Sequence, residues 1–171
     1  TAWLTKLGAK IIGVSKNIPT NPSIFEELKL EGQIKHYKED IRDLSKMIDI
    51  ISNEKPDFVF HLAAQPLVLT SYTDPIETIS SNVMGTANIL EAMKTLNNKC
   101  TAIIITSDKA YDNVEQVWGY KEDDKLGGKD IYSGSKGAAE LIIKSFYHSF
   151  LKSKNSNLKL AIGRAGNVIG G

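Results

Sequence analysis

Four short apolar runs, Ala9 to Val14, Phe58 to Leu62, Ala102 to Ile105 and Leu158 to Ile162, are separated by stretches with helical apolar spacing. That alternation constrains the fold more than any other feature. Apolar runs of this length, rich in Ile, Val and Phe, read as buried strands. Parallel strands need long crossovers, and the intervening helices supply them. The expected class is therefore α/β, a doubly wound parallel sheet. At 171 residues the chain fits one domain with room for a sizeable core.

Thr1 to Leu7 reads as the last turns of a helix ended by Gly8. Ser15 to Ser23, with Pro19 and Pro22, reads as a loop, and Ile24 to Leu30 as a short helix. Ile34 to Lys38 is a short strand candidate. Leu44 to Ile51 has helical spacing, with Asp43 as its cap. Pro56-Asp57 turns the chain into the Phe58 run, read as a buried strand ending in Ala63-Ala64-Gln65-Pro66. Pro75 to Leu96 and Ile131 to Leu151 are the long helices, with Pro75 suited to a first turn. Between Asp108 and Asp130 lies a long loop, and loops of that length inside a compact domain usually carry function. The opening without a helix cap and the stop at Gly170-Gly171, after the last strand, give the expectation of a piece from the middle of a longer protein.

Charge excludes some partners. Lys and Arg number 21 against 20 Asp and Glu, a balance that gives no reason to expect nucleic acid or a membrane surface. Cys100 is the single cysteine, so no internal disulfide forms and a reducing cytoplasm is the expected home. No apolar run reaches the roughly 18 residues of a membrane span, and no metal-ligand cluster stands out.

Chemistry concentrates in two places. Tyr132 and Lys136 are four apart, so on a helix they share a face. A lysine cation near a phenol favours the phenolate and makes tyrosine a usable base. Thr106-Ser107-Asp108-Lys109 follows the Ala102 run, at a strand end, where open α/β sheets place their sites. Asp108-Lys109 can equally be a solvated ion pair, worth at most about 1 kcal/mol.

Asp40-Ile41-Arg42-Asp43, His61-Leu62-Ala63-Ala64-Gln65, Asn82-Val83-Met84-Gly85-Thr86, Thr106-Ser107-Asp108 and Tyr132-x-x-x-Lys136 occur in this order. Together they resemble the extended short-chain dehydrogenase/reductases, which modify nucleotide sugars. Ser107-Asp108-Lys109, Val117 to Asp124 and Arg164 to Gly171 look like the branch that dehydrates CDP-hexoses. Related dehydratases carry Asp-Glu where this chain has Asp108-Lys109.

The resemblance implies a Rossmann-like NAD-binding domain over residues 1–171, partial at its N-terminus and without the C-terminal substrate domain. For NAD it implies Asp40 and Ile41 at the adenine, Leu62, Ala63, Ala64 and Gln65 near the ribose and diphosphate, and Asn82, Thr106, Tyr132 and Lys136 around them. Ser107 and Asn167 would hold the substrate, and Tyr132, Lys136, Ser107, Asp108 and Lys109 would carry catalysis. His61 reads as a core histidine, and His36 and His148 as surface residues. Lys144, His148 and Lys152 share a solvated helix face, and Tyr111 should pack under the site. Arg164 is either structural or faces the sugar nucleotide. The glycine-rich phosphate turn would lie before Thr1. Ser15-Lys16-Asn17 offers no acidic residue for a ribose hydroxyl, so the residues leave NAD against NADP open.

The expected activity is NAD-dependent dehydration of a nucleotide-hexose, CDP-hexose favoured, for deoxysugar and surface-polysaccharide synthesis. Lys109 is either a base or an electrostatic stabiliser. A 4-epimerase or 4-ketoreductase needs Tyr132, Lys136 and Ser107 but no elimination pair, and a nucleotide sensor needs no Tyr132. A homodimer through the two long helices is the family-level expectation, though their apolar stripes could equally be spent on the sheet.

Overall fold

The computed structural model describes residues 1–152 and 157–168. Five parallel strands lie in two groups: β1 (Ile12–Val14) pairs with β2 (Lys35–Tyr37), and β3 (Phe58–His61), β4 (Cys100–Ser107) and β5 (Leu158–Ala165) form the second group in that order. Among the described residues β1 and β3 are not paired with each other. The β4–β5 ladder runs in register from Cys100 opposite Leu158 to Ser107 opposite Ala165. The α/β class and the parallel arrangement are as expected.

Helices α1 (Ala2–Lys6), α2 (Ile24–Glu27) and α3 (Leu44–Glu54) punctuate the first half. Gly8 follows α1 with φ of 84°, a left-handed conformation that suits glycine. Asp43 caps α3 by accepting from Lys46 N. Asp74 caps α5 (Pro75–Ile79), with Pro75 in its first turn. The chain winds on through a π-helical turn, Ser80–Met84, into α6 (Gly85–Met93). Helix α7 (Ile131–Phe146) passes into a second π turn, Tyr147–Leu151.

Two expectations need correction. The Phe58 run is not a fully buried strand, because Phe58 is 63% and Phe60 47% exposed. The strand pairs only with β4, and its second edge and one face have no neighbour among the described residues. A helix also appears where none was read, α4 (Val68–Thr73), whose Thr and Ser residues have poor helix propensity. The segment Ile169-Gly170-Gly171 lies outside the described residues.

The core sits between the three-stranded sheet and helices α3, α6 and α7. Met47, Ile50, Leu90, Met93, Ala102, Ile104 and Ile143 fill it. Gly85 permits one close approach: a Cβ there would come within 2.4 Å of Ile41 Cδ1. Asn88 Nδ2 donates to the carbonyls of Ile41 and Arg42, so α6 holds the Asp40–Arg42 turn in place.

Candidate active site

Helix α7 carries the centre of the site. Asp130 caps it, accepting from Ser133 N at 2.9 Å and Ser133 Oγ at 2.6 Å. That cap fixes where Tyr132 enters the helix. Tyr132 and Lys136 are both buried, 9% and 7% exposed, with the ammonium 5.9 Å from the phenol ring centroid. Burial pushes the Lys136 ammonium below the usual lysine range. Among the described residues it makes no ion pair and donates no hydrogen bond. A buried, unpaired cation is costly, which makes the position a candidate functional site.

Behind this pair the β3 end is tied to the helices. Asn82 Oδ1 accepts from Gln65 N at 2.8 Å, and its Nδ2 donates to Gln65 O at 3.2 Å and Ser135 Oγ at 2.9 Å. Asn82 therefore locks the loop after β3 to α7 and is no plain polar helix position. His61 is buried and its Nε2 meets Thr86 Oγ1 at 3.0 Å. Burial, with Lys136 nearby, pushes its imidazole down to about 4, consistent with a neutral core histidine. His148 is exposed as expected. His36 is not a plain surface residue, because Ser15 Oγ lies 2.8 Å from its Nε2 and Phe25 packs on its ring.

The tip of β4 faces a cleft. Ser107 Oγ accepts from Lys109 N at 3.2 Å and donates to Asp108 Oδ1 at 3.0 Å, so it caps the 3-10 turn Asp108–Ala110. Asp108 and Lys109 are exposed and make no ion pair with each other among the described residues. They line a cleft of about 560 Å³ with Tyr111, Tyr120, Lys129 and Ser133. Tyr132 and Lys136 are not among its lining residues; Ser133 is where α7 reaches it. Burial opposes ionisation of Asp130, but hydrogen bonds from Ser133, with a small contribution from the Lys109 cation, hold its carboxyl below the usual carboxylate range. A Cβ on Gly166 would lie 3.7 Å from Asp108 Oδ2, so the end of β5 borders the same tip. Asn167 follows, exposed and outside the cleft lining.

Tyr111 stacks on Tyr120 with centroids 5.0 Å apart, and the Arg164 guanidinium covers Tyr111 at 4.4 Å. Arg164 pairs with Glu140 through two hydrogen bonds, of 2.8 and 2.7 Å. Glu140 is fully buried and also accepts from Thr106 Oγ1 at 2.7 Å. Its carboxyl lies below the usual range; burial opposes this, but the bonds from Arg164 and Thr106 outweigh it. Arg164 thus has a structural partner, and the Thr106 hydroxyl is committed to Glu140. Sequence reading missed Glu140; the signal was a carboxylate two turns beyond Tyr132 on the inward stripe of α7.

At the far edge of the sheet, Asp40 takes a forked pair of bonds from Arg42, with Lys16 3.7 Å away. These bonds, with the cations, hold its carboxyl down at about 2. Arg42 also reaches Glu77. After β3, Leu62 and Ala63 are exposed and Ala64 half-buried, a strip of chain with little side-chain bulk after Leu62.

Comparison with known proteins places the arrangement. The family described as GDP-mannose 4,6 dehydratase matches residues 2–160. A CDP-glucose 4,6-dehydratase from Salmonella typhimurium is 49% identical over 99% of this chain and 48% of its own length. A dTDP-D-glucose 4,6-dehydratase from Dictyostelium discoideum is 31% identical, over 98% of this chain and 40% of its own. The chain thus spans about half the length of the curated relatives it matches. The crystal structure of a UDP-glucose 4-epimerase from Thermotoga maritima, with UDP-glucose, superposes with a TM-score of 0.79 at 25% identity, covering 95% of this chain and 49% of that one.

Proposed function

The chain belongs to the GDP-mannose 4,6 dehydratase family, and on that premise we propose that the full-length protein is an NAD-dependent nucleotide-sugar 4,6-dehydratase with CDP-glucose as its favoured substrate. The observation that carries this reading is the buried pair Tyr132 and Lys136 beside a strand tip that presents Asp108 and Lys109 to an open cleft. The 49% identity to a CDP-glucose 4,6-dehydratase supports the choice of nucleotide.

The residues fit the cofactor. A buried ammonium without an acceptor among the described residues suits ribose hydroxyls, and the low-bulk strip Ala63-Ala64 admits a flat ligand close to the backbone. Lys136 and Tyr132 would hold the nicotinamide ribose, Leu62 to Gln65 the ribose and diphosphate, and Asp40 with Ile41 the adenine. Any contact from Thr106 falls to its backbone. Asn82 keeps the Gln65 loop in place. NAD, when bound, supplies the reversible hydride store.

The Lys136 cation favours the Tyr132 phenolate, whose Oη takes the proton of the hexose 4-hydroxyl and becomes the neutral phenol. Ser107 Oγ orients that hydroxyl. Once carbon 4 is a ketone, the carbon 5 proton becomes acidic. Asp108 donates a proton to the hydroxyl leaving carbon 6, water in the open cleft takes the carbon 5 proton, and the Lys109 cation faces the charge that develops. The hydride taken from carbon 4 would then return to carbon 6, with a proton returning to carbon 5. Asn167 holds the substrate diphosphate. Lys109 stands exposed at the cleft wall, which favours electrostatic stabilisation over a base that must first lose its charge.

The setting is cytoplasmic deoxysugar synthesis for surface polysaccharide. Residues 1–171 form the cofactor half of the protein. A homodimer would use the outward faces of the long helices, where Ile76, Ile79 and Leu141 are exposed while Ile89, Met93 and Ile143 go to the core. Incubation of the full-length protein with CDP-, dTDP-, GDP- and UDP-hexoses tests the reading. A 4-keto-6-deoxy product from CDP-glucose, abolished by Tyr132→Phe, is expected. Interconversion of 4-epimers without that product, undiminished in Lys109→Ala, would make the protein an epimerase.

A further inference from the structure

Glu140 joins four parts of the site through one carboxylate. It sits on α7 one turn after Lys136 and two after Tyr132, fully buried. It accepts from Thr106, the residue before Ser107 on β4, and from Arg164, which lies opposite Thr106 in the β4–β5 ladder. Arg164 reaches onward: Nη1 donates to the Glu122 carbonyl at 3.1 Å, and the guanidinium lies over Tyr111. Tyr111 stacks on Tyr120, whose hydroxyl accepts from Val114 N and donates to Asn113 Oδ1. One ion pair therefore spans the helix, both strand tips and the aromatic wall of the cleft.

We propose that Glu140 and Arg164 are positioning residues that set the Tyr132–Lys136 helix against the Ser107–Lys109 tip and orient the Tyr111–Tyr120 wall. This rests on the dehydratase reading above. Stability alone is a weak reason for the pair, because two buried charges are often replaced by apolar residues at no loss. Geometry is a stronger one. The planar fork of arginine fixes direction as well as distance, and a misplacement of about 1 Å at reacting groups can cost about a hundredfold in rate.

The test uses full-length protein and the double replacement Glu140→Met with Arg164→Met, which removes both charges and keeps the volume. Its Tm should stay near wild type while kcat with CDP-glucose falls at least tenfold and KM changes less than threefold. Arg164→Lys, which keeps the charge and loses the fork, should also lose kcat, and Glu140→Gln, which keeps an acceptor for Thr106, should fall in between. Amide exchange over residues 107–122 should quicken at least tenfold in Arg164→Lys, with α6 unchanged. A double variant that retains kcat within twofold, or exchange over 107–122 unaltered in Arg164→Lys, overturns the proposal. If the double variant does not fold, the Arg164→Lys pair of measurements decides. A wild type that dehydrates no nucleotide sugar would sink the dehydratase reading instead, and the exchange measurement would still decide the positioning role.

Discussion

Asn82 Nδ2 donates to Ser135 Oγ across 2.9 Å, joining two helices 53 residues apart in sequence. The same amide satisfies both backbone groups of Gln65. Replacing Asn82 with Leu strands the half-buried N–H and C=O of Gln65, each costing up to about 1–3 kcal/mol. We expect Asn82→Leu to lower stability by roughly 3 kcal/mol in urea titrations and to weaken NAD binding, read by fluorescence, at least tenfold.

Lys136→Met should make the cofactor-free protein more stable while abolishing turnover. The ammonium is buried without a partner among the described residues, and Met occupies a similar volume without the charge. A rise of roughly 1–2 kcal/mol is expected in chemical denaturation. A lower stability would show that the cation is satisfied by the fold.

His61 gives a pH dependence with a definite sign. Unfolded, it titrates near 6.5; folded, near 4. Between those values the unfolded chain binds more protons, so stability contributed by neutral His61 is present above 6.5 and lost as pH falls to 4. The full loss is about 3 kcal/mol. Urea midpoints from pH 7.5 to 4 should therefore fall more steeply in wild type than in His61→Gln.

Gly128 abuts the first turn of α7. A Cβ there would come within 2.4 Å of Gly134 N and 2.5 Å of the Ser133 carbonyl carbon, and backbone does not yield as a flexible side chain does. Gly128→Ala should displace the turn bearing Tyr132, lowering kcat at least about tenfold at a stability cost of about 1–3 kcal/mol. Gly134→Ala, with open space around it, is the control and should be near neutral.

Much of this was legible in the sequence. Apolar runs gave the strands, and Asp43, Pro75 and Gly8 marked boundaries through backbone chemistry that acts locally. Exposure of Phe58 and Phe60 was not legible, because it depends on what lies beside β3 rather than on the strand itself. The roles of Glu140 and Arg164 were hidden for a related reason. A lone Glu on a helix reads as solvated and Arg164 read as either structural or facing the sugar nucleotide, and only the ladder register that sets Arg164 opposite Thr106 brings them together. Ser107 and Asp108 stood out by their place past a strand end and then through resemblance, while the capping bond from Lys109 N to Ser107 Oγ is set by local geometry.

The π turn at Ser80–Met84 has a consequence for how this helix can vary. Thr86 Oγ1 bonds the carbonyl of Asn82 at 2.7 Å, and Thr86 also meets His61, so the turn aims Asn82 at the loop and Thr86 at the strand together. Such a bulge winds one residue more per turn than the helix on either side. Losing a single residue there would restore ordinary winding and leave the downstream helix close to its present rotation, because the turn already absorbs one residue more than an α-helical turn holds. Ile89, Leu90 and Met93 would keep their places in the core while Asn82 and Thr86 lost their joint aim, so the extra residue serves the loop and strand end rather than the packing.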